Sequence, residues 1–173
     1  MGALIVFLGL RALHVLLAAI WLGSTVFISY LLMPAMEQSG PAGGQVMMKI
    51  NARGLTAYMA VLGGTTVLTG LYLYWRFTGG FGADVASTHA GIAFGVGGAA
   101  GILAAIIGGS VVGRSANKLM EIMGQAARLP DGPEKGALLA QASALQQRMK
   151  SGGSAVVVLQ TIALLLMAVG HYI

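Results

Sequence analysis

The sequence predicts an all-α, polytopic membrane protein, a bundle of four transmembrane helices forming a single integral membrane domain over residues 1–173. Three observations predict it. The chain is 57% hydrophobic and 9% charged, with a mean hydropathy of +0.82, whereas a soluble domain carries roughly a quarter of its residues as charges. The same figures exclude a disordered chain, which combines low hydrophobicity with high net charge. Four stretches contain no Asp, Glu, Lys or Arg: Ala12 to Met36, Gly54 to Trp75, Val85 to Gly113 and Ser151 to Ile173. Each reaches the length of about 20 residues that a helix needs to cross the hydrocarbon. Finally, no short segments of alternating polarity appear, as a β-barrel would require.

The first helix is expected over about 4–33. Its apolar run exceeds the core of a secretory signal and no charged segment precedes it, so it is expected to remain in the mature chain. Pro34, Glu37, Gly40 and Pro41 then read as a loop. The second helix, about 55–76, ends on Tyr72, Tyr74 and Trp75, aromatics suited to the membrane interface, with Arg76 at its end. A short loop with Gly79, Gly80, Gly82 and Asp84 leads to the third helix, about 87–113 and extending to 129. Pro130, Asp131, Gly132 and Pro133 break the chain. The last helix covers 134–150 and continues into 153–172. Helices 3 and 4 therefore project beyond the membrane as a hairpin. Leu138, Leu139, Ala142 and Leu145 give its second arm an apolar stripe at helical spacing, expected to face the first arm.

Charge sets the expected orientation. Lys49 and Arg53 lie between helices 1 and 2, and Arg114, Lys118, Arg128, Lys135, Arg148 and Lys150 between helices 3 and 4, while only Arg11 and Arg76 fall on the opposite side. Positive residues mark the cytoplasmic face, so the hairpin is expected in the cytoplasm and both termini outside, in the inner (cytoplasmic) membrane. The net charge of +5 is thus a topology signal and no argument for nucleic acid. The chain has no cysteine, which excludes disulfides, thiolate metal sites and Cys-x-x-Cys redox pairs.

The residues that carry chemistry are the three histidines. Counting about 20 residues from each cytoplasmic end places His14, His89 and His171 at one depth near the outer boundary. For His89 and His171, at helix ends, the simplest role is an amphipathic side chain turned to water. His14 differs, because Arg11 stands one turn before it inside an apolar run, and ionisable groups in such a run are costly unless they face protein or a ligand.

At 100° per residue, Phe7, Arg11, His14, Ala18, Trp21 and Thr25 share one face of helix 1. A haem b would use these parts, with the imidazole on the iron, Arg11 on a propionate, Trp21 on the same face, and His89 or His171 as the opposite ligand. Copper is the alternative, since Met167 lies one helical turn deeper than His171 and imidazole with thioether suits Cu(I). The remaining methionines read as packing residues.

The run Leu13-His14, then Ala19-Ile20-Trp21-Leu22-Gly23, with Phe27 and Pro34 beyond, resembles the first helix of a group of bacterial four-helix membrane proteins. The group includes the copper-resistance D-type domain and the HemJ-type protoporphyrinogen oxidases. The resemblance covers about 25 residues, and the remaining chain only in helix count. It implies haem binding at His14, the position implicated in the HemJ type, or copper handling, as in the copper-resistance type.

On helix 3, Gly91, Gly95, Gly98, Gly109 and Gly113 fall on one side, roughly opposite His89, a face expected to make a helix contact within the bundle or between protomers. Gly63, Thr66 and Gly70 form a similar strip on helix 2. The carboxylates Glu37, Asp84, Glu121, Asp131 and Glu134 all lie in loops or the hairpin, so neither a hydrolytic site nor an intramembrane proton carrier is expected. No phosphate loop or dinucleotide fingerprint appears. Three readings follow: haem b or a redox metal at the outer face, copper handling there, or an accessory subunit of a larger membrane complex without a cofactor.

Overall fold

The computed structural model describes residues 2–173 and is helical almost throughout, with no strand among the described residues. Helix α1 (Gly2–Phe27) passes through a π-helical turn (Ile28–Leu32) into α2 (Met33–Gln38), followed by α3 (Gly40–Ala52) and α4 (Leu55–Phe77). A single turn, α5 (Ala83–Ala86), precedes α6 (His89–Ile107), which a second π-helical turn (Gly108–Gly113) joins to α7 (Arg114–Ala126). The chain closes with α8 (Pro133–Val169), 37 residues without interruption. Four of these rods are long and apolar enough to cross a membrane: Leu4–Gln38, Leu55–Phe77, His89–Ala126 and Pro133–Val169. Their outward faces carry exposed Leu, Ile and Val such as Leu4, Ile5, Val15, Leu68, Ile106 and Leu165, far more apolar surface than a soluble monomer leaves bare.

The loop expected after Met33 is helical instead. Pro34 stands just after the π-helical turn Ile28–Leu32 in one continuous rod, a local change of helix geometry of the kind that accommodates a proline. The break comes at Gly40, whose φ of +57° only glycine adopts freely. Gly43 then sits directly on the Met36 carbonyl, an approach any side chain would block. The far end of α8 also differs from expectation: it stops at Val169, with His171 beyond it in a turn.

The four long rods pack in chain order, α1 on α4, α4 on α6, α6 on α8, and α8 back on α1. Glycine contacts fix α1 with α4, α4 with α6 and α6 with α8 as antiparallel. Gly63 and Gly70 of α4 face Trp21 and His14 of α1, so one helix climbs as the other descends. Gly97 of α6 faces Ala163 and Met167 of α8, while Gly108 faces Val156. The stripe of α6 that meets α8 is therefore Ala93, Gly97, Ala100, Ala104 and Gly108, small side chains that let the backbones approach. The glycine side singled out from the sequence is divided. Gly95 faces Tyr74 of α4, whose hydroxyl donates to the Gly91 carbonyl at 3.3 Å, and Gly113 faces Thr56. Gly98 and Gly109 face open space.

Beyond the bundle, α7 folds on the first third of α8. Ile122, Ala142 and Leu145 are buried there, with Leu119, Met123 and Leu138 around them. Leu139 points away and is 44% exposed. At the tip, Lys135 Nζ donates to Asp131 Oδ1 at 2.7 Å, which holds this exposed carboxyl below its ordinary pKa. We therefore expect Ile122→Ala to lower unfolding stability by about 2–5 kcal/mol, the usual cost of emptying a packed aliphatic site. Leu139→Ala should change it by less than about 0.5 kcal/mol. Denaturant titration of the detergent-solubilised protein checks both.

Candidate functional site

His14 is the buried histidine of the chain, 8% exposed, although α1 otherwise shows mostly apolar surface to the outside. Its partner is on α4. The Thr69 hydroxyl donates to the Thr65 carbonyl at 2.7 Å and also reaches the Thr66 carbonyl at 3.0 Å. Thr69 Oγ1 also lies 3.0 Å from His14 Nδ1, and with the hydroxyl hydrogen on its own helix backbone the imidazole is the donor in this contact. In that tautomer Nε2 is left with its lone pair. A histidine held by one ring nitrogen and free at the other has the arrangement used by metal and haem ligands.

The space for this ring comes from glycine. A Cβ on Gly70 would lie 2.9 Å from His14 Cε1. Two turns further along α1, Trp21 is 6% exposed and lies against Gly63, where a Cβ would come within 2.9 Å of Cζ2. Thr25 donates to the Trp21 carbonyl at 2.8 Å and is itself buried. The strip Gly63, Thr66 and Gly70 read from the sequence is thus the seat of His14 and Trp21.

The other candidates are placed differently. Arg11 is exposed, without an ion-pair partner among the described residues. His89 begins α6, exposed, in a helix start capped by Thr88, whose Oγ1 accepts from the Gly91 amide at 3.1 Å. His171 lies past the end of α8 and stands edge-on to Phe94, ring centroids 5.4 Å apart. Phe94 also meets Phe77 edge-on at 5.2 Å, so His171 joins an aromatic layer at the end of the bundle that carries the chain termini. Met167 is half-buried over Gly97. Because α8 ends at Val169, the helical register that aligned Met167 with His171 is lost. Among the described residues no three His, Asp or Glu side chains come together as a metal cluster.

Two features escaped the sequence reading. Gln160 on α8 is 5% exposed, and neither its Nε2 nor its Oε1 has a hydrogen-bond partner in the protein. The register of α8 on α6, Ala163 at Gly97 and Val156 at Gly108, puts it beside the alanines at 100 and 104. The signal was present: Ala142, Leu145, Met149, Gly152, Val156, Gln160 and Ala163 share one seam at three- and four-residue spacing, and Gln160 is its polar member. The second feature is a cavity of about 430 Å³ at the hairpin end of the bundle. Trp21 and Thr25 line it, Arg114 and Lys150 belong to its wall, and it includes no histidine.

Two substitutions probe these contacts. Gly63→Ala drives a methyl group into the Trp21 ring and should cost about 1–3 kcal/mol, as overpacking does. Gln160→Leu removes two unpaired polar atoms at nearly constant volume and should raise stability by about 1–3 kcal/mol, the penalty such atoms carry when buried. Thermal unfolding in detergent measures both.

No family model, curated protein or solved structure matches this chain.

Proposed function

We propose that this chain is a multi-pass protein of the cytoplasmic membrane, with both termini and His14 toward the outer side, that holds haem b through His14. The anchored imidazole carries this reading. Burial, a partner on Nδ1 and a glycine that clears room for the ring fit a residue that would hold a haem iron through Nε2. Arg11, one turn nearer the boundary, is exposed and free to meet a propionate. His171 or His89 would be the second histidine to hold it. The orientation rests on the excess of Lys and Arg around the hairpin and the first connection.

The likeness of Leu13-His14 and Trp21-Leu22-Gly23 to the copper-resistance D-type and HemJ-type group supports the same reading. A bound haem would supply one-electron chemistry. The chain's own part is to hold the ring: Thr69 fixes the tautomer, Gly70 admits the imidazole, and Trp21 closes the bundle beneath it.

Oxidised and dithionite-reduced spectra of the purified protein, with iron and copper measured on the same sample, test the proposal. A Soret band that shifts on reduction, with iron near one per chain, is expected. His14→Ala should abolish it while leaving the helical circular dichroism unchanged. Thr69→Val, which removes the acceptor and keeps the shape, should weaken haem retention by about 10–100-fold. Full retention in His14→Ala overturns the proposal. Copper without a Soret band would assign the site to copper handling, and a colourless protein purifying with a partner would assign the chain to an accessory role.

A further inference from the structure

The cavity at the hairpin end is separate from the His14 site, with Trp21 at its deep end. Its volume of about 430 Å³ falls within the range of about 300–1,000 Å³ typical of small-molecule sites. Membrane bundles close their interiors with side chains, so a void of this size needs a cause. Here the cause is local. Gly64 and Gly109 line the cavity, and a Cβ at either would meet nothing within 4 Å. Both π-helical turns also lie on its wall, contributing Ile28 and Ser29 from one and Gly108 and Gly109 from the other. Such turns widen a helix at the cost of regular hydrogen bonding and concentrate at functional sites.

The lining is polarised. Deep inside are Trp21, Met59, Gly63 and Val156, and the charged members are Arg114, Lys150 and Glu37. All three charged residues are exposed, and none has an ion-pair partner among the described residues. Two cations against one carboxylate leave an excess positive charge next to an apolar chamber. The geometry points to a binding site for a single-chain anionic amphiphile, its carboxylate or phosphate head between Arg114 and Lys150 and its apolar chain running to Trp21. This site is independent of the haem reading, since it shares with the His14 region only the layer of Trp21, Thr25 and Gly63 and includes no histidine.

Trp21 makes the test direct. The chain has two tryptophans, so Trp75→Phe leaves Trp21 as the single indole fluorophore, and brominated acyl chains quench an indole on contact. The full-length Trp75→Phe protein in phosphatidylcholine nanodiscs is titrated with dibromostearate and, separately, with its uncharged methyl ester. Saturable quenching by the acid at low mole fraction is expected, with the ester markedly weaker. Replacing both cations, Arg114→Gln with Lys150→Gln, should raise the half-saturation point about tenfold or more, the loss expected of a charge-assisted contact. Gly64→Leu or Gly109→Leu fills the chamber and should remove the saturable phase, and either variant alone serves if the other fails to fold. Quenching that grows linearly, alike for acid and ester, would mean bulk lipid contact and overturn the proposal. Saturable quenching that is indifferent to both the ester and the charge substitutions would overturn the anionic head.

Discussion

The contact between Trp21 and Gly63 is the one on which the rest of the bundle depends. An indole this large can be enclosed between α1 and α4 only if the facing residue lacks a side chain, and a single methyl group at Gly63 would already come within 2.9 Å of the ring. Trp21 joins Leu62, Ala104 and Val156 in one buried cluster, which ties all four long rods together at mid-length. Everything on either side takes its place from that layer. Toward the chain termini the same two helices hold the His14 imidazole against Gly70. Toward the hairpin the rods part around the cavity, with Trp21 and Val156 in its lining.

A membrane interior offers no water to polar groups, so each must find a partner within the protein. The threonines do so by bonding back along their own helices: Thr25 to the Trp21 carbonyl, Thr66 to Leu62, Thr161 to Val157. Thr69 does this and its Oγ1 also lies 3.0 Å from His14 Nδ1, so one hydroxyl serves both its own backbone and the neighbouring helix. Gln160 has no equivalent arrangement. A long amide on a seam of alanines and valines meets no polar side chain, and it bonds to no backbone carbonyl either.

Much of this was legible in the sequence, and the divide is physical. The four rods were visible because the charge-free stretches are a direct requirement of hydrocarbon thickness. Leu138, Ala142 and Leu145 announced the hairpin contact by their spacing, while Leu139 obeys the same spacing loosely and falls outside the buried stripe. His14 and Trp21 stood out because polar and aromatic groups are rare in such runs. What stayed hidden depends on contacts between segments distant in the chain. The continuation through Pro34 into α2 turns on a proline that suits either a loop or a local change of helix geometry. The glycines of α6 gave a small-residue pattern on more than one side, and only the neighbours decide that Gly97 meets α8, Gly95 meets α4 and Gly109 meets nothing. Gln160 carries no charge to mark it within an apolar run, although its seam position was readable.

In lipid, the apolar faces of a helix are nearly equivalent, because acyl chains accept Leu, Ile and Val as readily as protein does. Burial of aliphatic side chains therefore cannot set how each rod is rotated about its axis. Small residues and polar residues can. On α1, turning His14 outward would expose an imidazole to hydrocarbon and forfeit its bond to Thr69. On α8, the buried line from Ala142 through Gly152, Gly153 and Val156 to Ala163 is the narrow side of the helix, and Gln160 lies on it. Rotating Gln160 toward lipid would leave the amide unpaired in the worse solvent and withdraw the glycines from Val111, Val112 and Ser29. An unpaired amide in the seam is thus a local cost set against a single rotational setting for a 37-residue helix. A lone polar side chain fixes register in the same way in coiled coils. The rotational setting of α1 that holds Trp21 on Gly63 also holds His14 on Gly70, so the geometry of the candidate ligand follows from the packing of the bundle.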